Sequence, residues 1–271
     1  MSTRTAEAGL RGRLGRDVLG WGRRVRQGRA DAVVGGAAVA ATLVASPLLR
    51  RRYNAWGTSP EEARASMPGD ELVPDPVLVS TRAVTIAAPP AAVWPWLAQI
   101  GQGRGGLYSY DALENLVGLD IHSADAILPE HQHLAVGDVV RLGRPGSPSF
   151  GVVALDPGRS MVLVSVDPST GRTVPTPVRE GPGATWQWLL TGVDDGRATR
   201  LISRQRNAHP SSQRLLWRLV EPVGFVMERR MLLGVRDRAE RASGASPQLL
   251  RNRSNCVHSS AWEPDDPNST P

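Results

Sequence analysis

The stretch from Arg82 to Gly118 most constrains what this chain can fold into. It opens with a β-rich run, Val84 to Ile86, and reaches a Pro-Pro corner at Pro89 and Pro90. An apolar segment, Ala91 to Ile100, follows. Val93, Trp94, Leu97 and Ile100 recur at helical spacing, which predicts a helix with one buried face. Proline suits a first helical turn, where its missing N–H has no partner to lose. Pro95 does not suit the interior, because it removes a backbone bond, so a bend or a late helix start is expected there. Gly101 is placed to stop the helix. A Gly-rich loop and a second helical segment, Tyr108-Ser-Tyr-Asp-Ala-Leu-Glu-Asn-Leu-Val-Gly118, complete the stretch.

Downstream, Val136–Leu142, Phe150–Leu155, Met161–Val166, Thr185–Leu190 and Thr199–Gln205 read as strands between Gly, Pro and Asp turns. The last two form a hairpin around Asp194-Asp195-Gly196. Asp167 to Gly183 is rich in Pro and Gly and reads as a long loop. Ser211 or Ser212 can cap a final helix reaching about Ala242. Leu215, Leu216, Leu219, Val220, Val223, Val226, Met227, Met231, Leu232 and Val235 keep helical periodicity along it. The expectation is a stripe buried along its whole length, Leu219 included, with a kink or break at Pro222.

The strand, the Ala88-Pro-Pro corner, the Val93-Trp-Pro-Trp-Leu97 helix, the Gly-rich loop and the Tyr108–Gly118 helix together resemble one branch of the SRPBCC (START-like, polyketide cyclase/dehydrase-like) superfamily. The resemblance spans roughly Trp56 to Arg241. It implies an α+β helix-grip fold, with a curved antiparallel sheet wrapped around a long C-terminal helix that closes an apolar cavity. That superfamily hosts lipid binders, hormone receptors and polyketide cyclases, so the fold does not name a function. The expected plan is a basic segment 1–31, a transmembrane-like helix 32–49, a connector 53–78, the helix-grip domain 79–242 and a disordered tail 243–271. In the connector, Thr58 or Ser59 can cap a short helix beginning Pro60-Glu61-Glu62.

Charge is uneven. All 32 basic residues are Arg; residues 1–52 carry 11 of them against 3 acids, and residues 53–271 carry 21 against 23 acids. The domain therefore lacks the basic footprint of a nucleic-acid binder. One cysteine, Cys256, excludes an intramolecular disulfide and any multi-cysteine metal site.

Ala32 to Leu49 is an 18-residue run without charge, closed by Arg50-Arg51-Arg52. It predicts a single-pass membrane anchor, since a spanning helix takes about 17 to 25 residues. A cleaved signal and a buried Ala-rich helix are the alternatives. Within about 20 residues of the run, six Arg precede it and four follow it, a bias towards an internal N-terminus. Leu10, Leu14, Val18, Leu19 and Trp21 among arginines read either as a basic amphipathic surface helix or as a basic tail.

No nucleophile triad or paired-carboxylate motif stands out. Gly101-Gln-Gly-Arg-Gly-Gly106 follows a helix, whereas a dinucleotide fingerprint follows a strand. His122, Asp125, Glu130, His131 and His133 are the densest group of possible metal ligands, but they read as a solvated loop. No metal or cofactor is assigned. Aromatic-lined concavities with few polar groups are the usual small-molecule pockets. Trp94, Tyr108, Tyr110, Trp186 and Trp188 are the candidate ligand-binding aromatics, with Arg204 as a head-group partner. The expected function is a membrane-tethered domain that holds a small apolar or amphipathic, lipid-like ligand. Two alternatives stand beside it. One is a cyclase/dehydrase-like enzyme using His122 or His131 with Tyr108 or Tyr110. The other is a structural or partner-binding membrane protein.

Overall fold

The computed structural model describes residues 33–42, 44, 49–116, 118–179 and 181–244. The basic segment 1–31 and residues 245–271 of the tail lie outside the described residues. Among those described, six strands form one antiparallel sheet: β1 (Leu78–Ile86), β2 (Val139–Arg141), β3 (Ser149–Asp156), β4 (Ser160–Ser165), β5 (Gly183–Val193) and β6 (Ala198–Ala208). Their spatial order is β1-β6-β5-β4-β3-β2. Helix α1 (Pro60–Arg64) precedes β1, helices α2 (Pro90–Ala98) and α3 (Asp111–Leu116) lie between β1 and β2, and α4 (Arg214–Ala242) follows β6. This α+β order is consistent with a helix grip.

Several local expectations hold for the reasons given. Ser59 caps α1 through a capping box: Glu62 N donates to Ser59 Oγ at 3.2 Å and Ser59 N donates to Glu62 Oε2 at 2.8 Å. The β5–β6 turn closes from Arg197 N to Asp194 O at 3.1 Å, with Asp195 and Gly196 between them at φ of 54° and 77°, the left-handed pair that tight hairpins need. Both prolines inside helices are absorbed. Pro95 lies within α2, and α4 runs unbroken through Pro222. The strands outrun their sequence signals. β1 spans nine residues, where sequence marked three, and β5 and β6 span eleven each.

The core fills the sheet's inner face. Ile86, Met161, Leu163, Trp186, Trp188 and Leu201 meet Val93, Leu97 and Ile100 of α2 and Leu232, Val235 and Ala239 of α4. Gly234, inside α4, is required by this packing, because a Cβ there would overlap Tyr108 O. A mid-helix glycine costs about 1 kcal/mol against alanine, and close helix approach is the return. The first two turns of α4 lie outside the grip, and from Glu221 onward Val226, Glu228, Met231, Leu232, Val235 and Ala239 are buried. Leu215, Leu216, Leu219 and Val220 are 73, 59, 56 and 42% exposed, so the stripe is not buried along its whole length.

The membrane anchor expected at 32–49 is not supported: no helix among the described residues is long and apolar enough to cross a membrane. Eight of the eighteen residues in that run are Ala or Gly, which bring little apolar area. Residues 33–42 are helical and Gly35 is buried against α3, where an added Cβ would stand 3.1 Å from the Tyr110 ring. Positions 32, 43 and 45–48 of the run lie outside the described residues. Arg50, from the cluster that closes the run, donates to Glu221 Oε2 of α4 at 2.7 Å. The single-pass localisation read from sequence is corrected accordingly.

Candidate ligand-binding cavity

Strand alternation decides what faces inward. Trp186 pairs across β5–β6 with Gln205, Trp188 with Ser203, and Gln187 with Arg204. Residues directly opposite share a face. Trp186, Trp188, Ser203, Gln205 and Asn207 therefore lie on the inner face, and Gln187, Arg200, Arg204 and Arg206 on the outer one.

The outer face is covered by the connector. Arg204 Nε donates to Thr81 Oγ1 at 3.0 Å, and its guanidinium also meets Asp70 Oδ2 at 2.7 Å and the carbonyls of Ala65, Glu62 and Ala63. Arg206 Nε donates to Val73 O at 2.9 Å, and Arg200 pairs with Glu62 at 2.7 Å. Met67, Ala83 and Ile202 pack beneath them. These arginines strap residues 57–74 onto the sheet; Arg204 does not face a cavity.

On the inner face, beyond the end of the α4 grip, a cavity of about 1000 Å³ opens. Its floor is Phe150 of β3, Ser165 of β4, Ala184 and Trp186 of β5, and Gln205 and Asn207 of β6. The loop between β4 and β5 supplies one wall through Val166, Val174 and Val178, and Trp217 of α4 closes another side. Val178 is anchored by its N–H on Leu72 O at 2.8 Å and presses on Gly183.

The two cavity indoles turn their polar edges away. Trp186 Nε1 donates to Ser203 Oγ at 3.0 Å, Ser203 Oγ donates to Glu228 Oε1 at 2.6 Å, and Glu228 is ion-paired with Arg82 of β1. Trp217 Nε1 donates to Gln213 Oε1 at 3.3 Å, and its ring stacks on His209 at 5.2 Å. Ring surface is what remains for the cavity. Asp167, the one acidic side chain of the lining among the described residues, accepts from Ser169 N at 2.8 Å and Ser169 Oγ at 2.6 Å. Those bonds hold its carboxyl below the usual value.

Of the six residues read from sequence as ligand-binding, Trp186 lines this cavity; Trp94, Tyr108, Tyr110, Trp188 and Arg204 do not. Tyr108 is 1% exposed in the core and donates to Trp96 O at 3.1 Å; burial pushes its phenol up to about 12. Tyr110 lies beneath Gly35, with the Arg230 guanidinium 5.8 Å from its ring centre. Trp188 is buried behind Trp186, their rings 4.9 Å apart. Trp94 is half-buried at the edge of the core. Phe150, Trp217, Gln205 and Asn207 were not singled out by sequence.

The acid/base pairing of the enzymatic alternative is not assembled. The His122 side chain is 80% exposed and meets Asp120 at 3.2 Å, and neither His122 nor His131 lines the cavity. No group of three or more metal-ligating side chains converges among the described residues. The Gly-rich loop spends its amides internally: Gly101 N and Gly106 N bond reciprocally to Gly106 O and Gly101 O, and Gly105 N donates to Gln99 O at 2.6 Å.

The sequence matches no known family profile. It matches no curated protein either. Among solved structures it is similar to DynU16, a protein of the dynemicin biosynthetic locus, at 14% identity over 57% of this chain and 45% of that one, with a TM-score of 0.31. It is similar to Aha1 from Colwellia psychrerythraea at 17% identity over 60% of this chain and 97% of that one, TM-score 0.34. It is similar also to the di-domain ARO/CYC StfQ of the steffimycin biosynthetic pathway at 13% identity over 65% and 55%, TM-score 0.35. The chain thus spans under half of DynU16 and just over half of StfQ. At such identities the cavity, not the likeness, carries the chemistry.

Proposed function

We propose that this chain holds a small apolar or amphipathic molecule between Trp186 and Trp217. The observation that carries this is the cavity itself: about 1000 Å³, walled by Phe150, Trp186, Trp217 and the valines of the β4–β5 loop. Its size falls within the range of ligand sites, about 300–1,000 Å³, and its lining has their mix of ring faces and few polar groups. A cavity of this kind favours ligand holding over a purely structural role. No reaction is assigned, because the His and Tyr groups considered for one do not line it.

The test is titration of the full chain with N-phenyl-1-naphthylamine, an uncharged fluorophore that brightens in apolar surroundings. Ala184→Phe fills the floor beside Trp186 while removing nothing from the core. The expected result is saturable binding by the wild type and at least about tenfold weaker binding by the variant, since losing contact area loses hydrophobic free energy. Equal affinity for both, with unfolding curves unchanged, would place the probe elsewhere and end this reading.

A further inference from the structure

Gln205 and Asn207 line the cavity, and neither side chain has a hydrogen-bond partner among the described residues. They stand two apart on β6, so their side chains leave the same face about 7 Å apart. Their neighbours across the strands are Trp186 and Ala184 on β5 and Ser80 and Leu78 on β1. Asn207 is only 8% exposed. Its carboxamide atoms are nonetheless not sealed off, so they stand open to a partner entering the cavity.

The other polar side chains of the lining do not supply one. Ser165 Oγ accepts from Ala184 N at 3.0 Å, Asp167 is held by Ser169, and both indole N–H groups are turned away. Ser149 sits across the sheet on β3, and Arg179 is exposed at the rim. Behind the two carboxamides, Arg204 and Arg206 are on the opposite face and bound to the connector.

We propose that Gln205 and Asn207 form a subsite for an uncharged polar end of the ligand, with its ring system lying on Trp186. A carboxamide offers both a donor and an acceptor. Its best complement offers both in return, as a primary amide does, or a hydroxyl beside a carbonyl. A carboxylate offers acceptors alone, and the nearby cations do not serve it: Arg204 and Arg206 are bound to the connector on the opposite face, and Arg179 is exposed at the rim. The subsite rests on the cavity being the ligand site.

Three probes of one shape test it: naphthalene-2-carboxamide, naphthalene-2-carboxylate and 2-isopropylnaphthalene, each titrated into the full chain by calorimetry. The carboxamide is expected to bind at least about tenfold more tightly than either of the others, the discrimination a polar pocket imposes on a ligand that leaves its groups unpaired. Asn207→Leu and Gln205→Leu are expected to abolish that preference while 2-isopropylnaphthalene binds as before or more tightly, which also reports that the cavity is intact. Three equal affinities, or a preference for the carboxylate, overturn the subsite and leave the cavity standing. A preference that survives both substitutions overturns it too. Binding of none of the three overturns subsite and cavity together. Should a variant fail to fold, the wild-type ranking decides alone.

Discussion

Ser203 Oγ donates to Glu228 Oε1 at 2.6 Å, and through this contact the cavity wall is tied to the ion pair that docks α4 on β1. Arg82 and Glu228 side chains are each 4% exposed. The Arg82 guanidinium also donates to Tyr53 O at 3.0 Å and lies 5.5 Å from the Phe225 ring centre, so residues 53–54 share the same anchor. Glu228→Ala leaves that cation buried without its counter-charge. The expected loss is about 3–5 kcal/mol in urea unfolding, because breaking a buried pair from one side costs more than removing both charges. Arg82→Met with Glu228→Leu should recover most of it. If Glu228→Ala is tolerated, α4 is not docked through this pair.

The half-buried course of α4 sets a second expectation. Leu219 is 56% exposed and Leu232 is fully buried. Leu232→Asp puts a charge into the core and should abolish cooperative unfolding, being worth several kcal/mol against a total stability of about 5–15 kcal/mol. Leu219→Asp should stay within about 1 kcal/mol of wild type, as surface changes do. Thermal scans of both variants separate the cases; equal loss would mean that the whole helix grips.

Glu114 gives the fold a pH dependence. It is 3% exposed on α3, and burial, followed by the neighbouring Asp111, pushes its carboxyl up to about 7 from an ordinary 4.5. Between those values the folded chain keeps a proton that the unfolded chain has lost. The stability due to neutral Glu114 is therefore complete below about pH 4.5 and drains away as pH rises towards about 7. The span is on the order of 3 kcal/mol. In urea unfolding across this window, Glu114→Gln should gain on the wild type as pH rises and level off above it. Parallel pH profiles for the two proteins would show that Glu114 is not buried in this way.

Arg204 separates strapping from ligand binding. Its guanidinium reaches Thr81, Asp70 and three carbonyls of residues 62–65. Arg204→Met should free the connector to proteolysis and cost several kcal/mol through the buried acceptors it leaves behind. Probe affinity should not change. A variant of normal stability with weakened binding would put Arg204 in the cavity instead.

The order of elements was legible because it is written in local signals: the Pro89-Pro90 corner, the Ser59 cap, the Asp194–Gly196 turn and the periodicity of α4. Strand length was not, since β6 gains its ends from pairing with β1 and β5 rather than from its own composition. The site was half legible. Period-two alternation puts Trp186 with Trp188 on one face of β5 and Arg200, Arg204 and Arg206 on one face of β6, but does not say that these faces are opposite. The register Gln187 to Arg204 decides it, and register depends on how the turn closes. Trp217 shares the side of Leu232, but at about 100° per residue Leu215, Leu216 and Leu219 stand roughly 100–160° around α4 from it, which is why they are exposed. The uncharged run 32–49 matched a membrane in length and charge, while its Ala and Gly content matched packing against a neighbour, as at Gly35 and Tyr110.

The most direct measurement is a crystal structure of the full chain grown with 2-iodonaphthalene, read by the anomalous signal of iodine. The cavity account predicts one dominant iodine site in van der Waals contact with Trp186 and Trp217, over Ala184. An empty, collapsed floor with Trp217 packed onto Trp186, and iodine only on the outer surface, would contradict it.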